Sequence, residues 1–240
     1  MDNSQIKSKE RVAERGEVFT AEREVKAMCD LVRDECERLD SLFLEPACGD
    51  GNFLAEIISR KLAVAKRESM KDSFLYEVNS VKAMMSIYGV DIMMDNVLCC
   101  RERMFDIWNR EYTANCKKDA NDETREAVRF ILSRNIVLGN ALSMMCVDAD
   151  GNDTDEPIIF SDWKFADGSF LVKRRDYRLD VLLRENTRET LDDIQMTLGW
   201  FDDDDRCSDY WDFDPIEKAY IPKPIREFAP IHYRRVKENG

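Results

Sequence analysis

Apolar residues recur along the chain in alternating rhythms through about residue 142. In "FTAEREVKAMCDLVRDECERL", Val25, Met28, Cys29, Val32 and Cys36 fall at helical spacing, with Thr20 ahead as N-cap and Glu24 four residues on. That pattern predicts an amphipathic helix of about 17 residues. Ser41 to Leu44 is a short apolar run expected to be a buried strand, and Asn52 onward ("NFLAEIISRKLAVA") returns to helical spacing. "FLYEVNSVKAMMSI" predicts a further helix, and "YGVDI", Tyr88 to Ile92, a strand with an acid at its C-terminal end. "MDNVLCCRERMFDIWNREY", with Asp95 or Asn96 near its start, and "DETREAVRFILS" predict two more helices. "NIVLGNAL", Asn135 to Leu142, predicts a strand that ends in a Gly-Asn turn.

Strands alternating with helices point to an α/β fold built on a parallel, doubly wound sheet. Beyond residue 142 the rhythm changes. "DADGNDTDE" is a polar loop, and "PIIFSDWKFADGSFLVKRRDY" gives two strands joined at Ala-Asp-Gly, a β-hairpin. "LDVLL", 179 to 183, fits no single element type. The remainder is acidic and aromatic ("GWFDDDDRCSDYWDFD") and then Pro-rich ("IPKPIREFAP"). Three parts follow: 1–40, an N-terminal amphipathic helix region packing on the core; 41–190, the sheet domain with its hairpin; and 191–240, an irregular acidic tail.

Composition narrows the function classes. With 44% hydrophobic residues the chain can bury a core. No run reaches about 18 apolar residues, and the N-terminus lacks a signal segment, so a cytoplasmic protein is expected. Eight cysteines (29, 36, 48, 99, 100, 116, 146 and 207) include no CxxC pair, which favours free thiols over a metal site; Cys29 and Cys36 fit a helical core face. A single histidine, His232, leaves little room for a His-dependent triad. The net charge of −13 argues against tight solitary DNA binding. Acids concentrate late, at Asp192, Asp193, Asp202 to Asp205, Asp209, Asp212, Asp214 and Glu217.

The chemistry gathers in "LFLEPACGDGNFL", Leu42 to Leu54, where a strand turns through two glycines into a helix. Gly49 and Gly51 permit positive φ or close approach of a ligand to the backbone. The first amides of the following helix offer unpaired donors at a positive dipole end. Asp91 can accept hydrogen bonds from a ribose diol. "GDG" is not the GxGxxG pyrophosphate fingerprint, so a nucleoside without a diphosphate fits better than a nicotinamide.

Four segments, in order, make residues 11 to 142 resemble class I S-adenosylmethionine-dependent methyltransferases, specifically the adenine-N6 DNA methyltransferases of restriction-modification systems. "GEVFT", Gly16 to Thr20, resembles the segment that closes over the methionine moiety, with Ala21 where the family usually has Pro. "EPACGDGNFL" resembles the cofactor loop, "YGVDI" the ribose-binding strand end and "NIVLGNAL" the third strand, Asn140 standing where an Asp often touches adenine. The resemblance implies a Rossmann-like partial methyltransferase fold and S-adenosylmethionine as cofactor. It implies cofactor contacts from Phe19, Thr20, Glu45, Ala47, Cys48, Gly49, Gly51, Phe53, Asp91, Ile92, Asn140 and Ala141. The plainer readings are an ordinary βα turn, a helix-capping acid at Asp91, a turn residue at Asn140 and core aromatics at Phe19 and Phe53.

The family's catalytic Asn/Asp/Ser-Pro-Pro-aromatic tetrapeptide, which holds a flipped adenine, is absent: the six prolines include no adjacent pair. Two degenerate candidates stand in its place. "LDVLLREN" has the apolar character of the missing fourth strand and ends at Asn186; "DFDPIEKAY" offers Asp214. The resemblance therefore implies a modification subunit whose protein partner supplies the catalytic loop or DNA recognition, with DNA bound only in the complex and neither membrane nor metal involved. The alternative is an inactive methyltransferase-fold module that engages a protein through its acidic aromatic tail (Trp200, Tyr210, Trp211), and a third idea is methylation of a small molecule or protein. The tail's "DDDD" run is read first as a solvated loop, and Lys173-Arg174-Arg175 as a solvated hairpin edge rather than a phosphate contact.

Overall fold

The computed structural model describes residues 20–186, 211–214 and 219–240. Phe19, the "DDDD" run, Trp200 and Tyr210 lie outside the described residues. The fold is mixed α/β, with a three-stranded parallel sheet of β1 (Phe43–Glu45), β2 (Ile87–Asp91) and β3 (Ile136–Leu138) in the order β1-β2-β3. Phe43 is in register with Ile87, and Gly89 with both Glu45 and Ile136. Two helices precede β1, α1 (Glu22–Leu31) and α2 (Arg33–Cys36); α3 (Asn52–Glu68) and α4 (Ser73–Met85) lead from β1 to β2; α5 (Met94–Cys116) and α6 (Asp122–Asn135) lead from β2 to β3.

The central strand explains why the sheet is a middle layer. Every residue of β2 is buried, and its side chains divide between two cores by simple alternation. Ile87 joins residues of α3, α4, α5 and α6, whereas Tyr88 and Val90 meet Ile158, Phe160 and Leu179 on the other face. That second face is covered by a hairpin of β6 (Ile159–Phe165) and β7 (Leu171–Arg178), with α7 (Leu179–Asn186) following. The helix layer expected on both faces is thus replaced on one of them by strands and a single short helix. The Tyr88 hydroxyl donates to the Ser161 carbonyl at 2.9 Å, and Trp163 Nε1 donates to Asn135 Oδ1 at 2.8 Å, tying the layers together.

Several sequence expectations need correction. The first helix is broken at Val32 (φ −118°, ψ 35°), and its N-cap is Ala21, whose carbonyl accepts from the Glu24 and Val25 amides, not Thr20. Cys29 and Cys36 are buried, but Met28 and Val32, expected on the same inward face, are exposed, so the inward stripe of α1 is narrowed to Val25 and Cys29. β1 is half-exposed rather than buried, since among the described residues it pairs with β2 alone. Its approach is set by Lys61, buried on α3, whose Nζ donates to the carbonyls of Arg38 at 2.8 Å and Ser41 at 2.6 Å; burial pulls this ammonium down to about 8.

The basic triplet is no solvated edge. β7 pairs with β6 along one side and with β10 (Arg226–Glu227) and β11 (Ile231–His232) along the other; the separate pair β4 (Met145–Val147) and β5 (Asp153–Pro157) follows β3. Strand alternation turns Arg174 inward, where it is 2% exposed and makes a bidentate pair with Asp176, both contacts 2.8 Å. Its ring neighbours are Phe228, Trp163 and Phe130, and its Nη1 donates to the Asn239 carbonyl at 3.0 Å. The run 179–186, which fitted no single element type and shared only the apolar character of the missing fourth strand, is helix α7, started by Leu179 N–H donating to the Ile158 carbonyl and by the Arg178–Asp180 pair. The C-terminal stretch, expected to be irregular, carries β8 (Trp211–Asp214) paired with β9 (Ala219–Pro222), then β10, β11 and a closing 3-10 helix, Tyr233–Asn239.

Glu77 on α4 anchors that closing helix. Its carboxylate accepts from Tyr112 (2.7 Å), Arg234 (2.6 Å), Thr124 (3.0 Å) and Tyr233, so four segments converge on one buried charge. Burial alone would raise its pKa, but the hydrogen bonds from Arg234, Tyr233 and Tyr112 outweigh that and hold it below the ordinary 4.5. Because the folded value is depressed, this contribution is fully present above about pH 4.5 and drains as pH falls through the lower folded value. Glu77→Gln should cost about 2–4 kcal/mol at pH 7 in urea unfolding, since it leaves buried donors facing an amide. The same variant should lose less stability than the wild type on further acidification from pH 4.5 to 3, a difference that paired unfolding curves read directly.

Candidate functional site

At the carboxyl ends of the three parallel strands, the chain between β1 and α3 turns sharply because two residues take positive φ, Gly49 at +53° and Gly51 at +91°. Gly51 is the N-cap of α3, and no side chain caps that end. The Ala55 amide makes the helix's first bond, to the Gly51 carbonyl. The first-turn amides therefore remain donors at the positive end of a 17-residue helix. Such a crevice beyond strand ends is where open α/β sheets place ligands.

Asp91, the last residue of β2, holds the corner in shape. Oδ2 accepts from the Gly49 N–H at 2.9 Å, while Oδ1 accepts from the Met93 N–H at 2.8 Å and Asn96 Nδ2 at 3.2 Å. Met93 is the N-cap of α5, so Asp91 joins the glycine turn to the start of that helix. The amide it holds is that of the N-cap residue and not one of the first turn of α5. A carboxylate has about four lone-pair sites, so three internal bonds leave room for one further donor.

One face of α5 backs the corner. Asn96, Cys100, Arg103 and Met104 recur at helical spacing; a Cβ on Gly51 would meet Cys100 Sγ at 2.8 Å and Met104 Cε at 3.0 Å. Gly89 of β2 is equally constrained, its hypothetical Cβ 3.0 Å from Cys48 Sγ. Cys48 is buried beneath the turn, and its thiol is pushed far up by the Cys100 hydrogen bond and by burial, which leaves it protonated and inert. Glu45 is half-buried at the end of β1, and burial raises its carboxyl.

The other expected contacts divide. Thr20 is brought to the corner: its carbonyl accepts from Asn52 Nδ2 at 3.3 Å. Ala47 is exposed, Ile92 is half-buried, and Phe53 is half-buried against the main core. Ala141 packs on the second core. Asn140 behaves as a turn residue: its Oδ1 accepts from the Leu142 N–H at 3.0 Å and its Nδ2 donates to Asp153 at 2.9 Å. Asn186 is the last residue of α7 and Asp214 the last of β8. Sequence reasoning missed Asn52, Asn96 and Arg103; the spacing of 96, 100, 103 and 104 on one predicted helix was the available signal.

Larger cavities, about 520 and 710 Å³, lie beside the start of β1 and the hairpin. A smaller one of about 240 Å³ adjoins the corner, between Glu22, Asn52, Glu56 and Arg103. The corner is the candidate site because uncapped first-turn amides, two positive-φ glycines and an acid converge there; the 240 Å³ cavity borders it through Asn52 and Arg103. Among the described residues no group of three His, Cys, Asp or Glu side chains could hold a metal ion, and no helix is long and apolar enough to cross a membrane.

Gly51→Ala should destabilise the protein by at least about 1–2 kcal/mol from the left-handed backbone alone. The added contact with Cys100 increases that cost, and a Cys100→Ala background should recover part of it in thermal unfolding.

Compared with known proteins, the chain matches no family model, no curated protein and no solved structure.

Proposed function

We propose that the chain is an S-adenosylmethionine-binding, adenine-N6 DNA methyltransferase-like modification subunit that needs a partner for catalysis and DNA recognition. The observation that carries the reading is the Asp91 carboxylate at the Gly49–Gly51 turn, bonded to the Gly49 N–H at 2.9 Å. It places an acid, a glycine loop and an uncapped helix start within one crevice, with Thr20 reached through Asn52. A nucleoside with a zwitterionic side arm suits that set: first-turn amides for its carboxylate, and the free lone pair of Asp91 for a ribose hydroxyl. The Rossmann-like, partial methyltransferase architecture belongs to this proposal, with β1-β2-β3 as its cofactor half.

The partner enters because the chain lacks adjacent prolines after any strand, and the run that resembled a fourth strand is α7. The tetrapeptide that would hold a flipped adenine is therefore left to the partner in this reading. A second reading, a catalytically inactive module of the same fold, is favoured by one observation: Asp91 and Asn140 are both engaged in internal hydrogen bonds. In that reading the corner is architecture.

Calorimetric titration of S-adenosylmethionine separates the two. The proposal expects micromolar binding that Asp91→Ala weakens by about 1–3 kcal/mol, the cost of an unpaired buried hydroxyl donor. No binding by the wild type would sink the cofactor reading and leave the inactive module. Methylation of duplex DNA by the purified chain alone, followed with labelled cofactor, would remove the need for a partner.

A further inference from the structure

Arg103 lies on α5 and has no place in the four resembling segments, yet its guanidinium is the hub of the corner's outer rim. Nη1 donates to Asn52 Oδ1 at 2.8 Å, to Asp50 Oδ1 at 3.2 Å and to the Asp50 carbonyl at 3.4 Å. Asn52 follows the second positive-φ glycine and is the first residue of α3. Because its Oδ1 faces a cation, its amide orientation is fixed, and Nδ2 is left to donate to the Thr20 carbonyl at 3.3 Å. Asp50, between the two glycines, is drawn sideways by the same guanidinium. Glu22, just beyond Thr20, shares the 240 Å³ cavity with Arg103 and is held below its usual range by Lys26 first, with Arg103 adding attraction.

We propose that Arg103 is a positioning residue for the glycine-corner site: it sets the amide of Asn52, which sets where the Thr20 segment lies over the loop. The inference deepens the cofactor reading and rests on it for its affinity consequence. It acts on the ligand only through Asn52 and Asp50. Neutral replacement frees Asn52 to flip, and the Thr20 carbonyl then loses its donor. A lysine keeps one donor and the charge but not the planar fork.

The experiment combines titration of S-adenosylmethionine with amide hydrogen exchange on the full chain. Arg103→Ala should weaken binding about tenfold, the loss of one net charge-assisted hydrogen bond. Its thermal midpoint should stay near that of the wild type, and Arg103→Lys should fall between the two. Combining Arg103→Ala with Asn52→Ala should cost no more than about twofold beyond the worse single variant, because the two residues act in series. Without ligand, amides of 20–26 should exchange faster in Arg103→Ala while those of α4 do not change. Unaltered affinity in Arg103→Ala, or additive losses in the double variant, would overturn the assignment. If the wild type binds no S-adenosylmethionine, the cofactor reading fails separately, and unchanged exchange at 20–26 would overturn the positioning role by itself.

Discussion

The Asp91 carboxylate is the constraint around which the candidate site is organised. It stands at the end of β2, a strand buried on both faces, and its three internal bonds fix the glycine turn on one side and the start of α5 on the other. The cost of burying an acid is offset by donors aimed at both oxygens, two of them backbone amides that cannot reorient. Once α5 is fixed, Cys100 and Met104 close on Gly51, and no side chain larger than hydrogen fits there without displacement. The loop's shape thus follows from one carboxylate and one packed helix face.

Two further buried charges hold the rest of the chain to this frame. Glu77 gathers α4, α5, α6 and the closing 3-10 helix, and Arg174 joins the hairpin to the last residues through Asp176, Ser161 and the Asn239 carbonyl. Each is fully hydrogen-bonded, which is the condition under which buried ions are tolerated. Both draw in the C-terminal segment, whose sequence is too polar to dock by apolar burial alone. Tyr233 and Val236 supply that burial once the charges have set the register.

The site and the larger cavities are separate. The corner offers directional backbone donors and an acid, whereas the groove near the start of β1 sets apolar walls such as Leu182 and Ile221 beside Asp162, whose carboxylate pairs with Lys164 and Arg175.

How much was legible follows from how local each signal is. Helices α3 to α6, strands β2 and β3 and the β6–β7 hairpin were readable because their apolar periodicity or turn residues are encoded within a few neighbours. The glycine turn was readable for the same reason: two glycines between an apolar run and a helical one need no partner to be recognised. The break at Val32, the helical state of 179–186 and the inward turn of Arg174 were not, because each depends on what packs against it. The sequence by itself determined the order of elements from α3 to β3, the β6–β7 hairpin and the composition of the corner. Only the tertiary structure decided that Asp91 braces that corner from within, that Asn140 serves its own turn, and that Arg103, far along another helix, reaches Asn52. Hydrogen bonds between residues 42 and 51 positions apart leave no periodic trace in a chain, so they appear only when the fold brings their ends together.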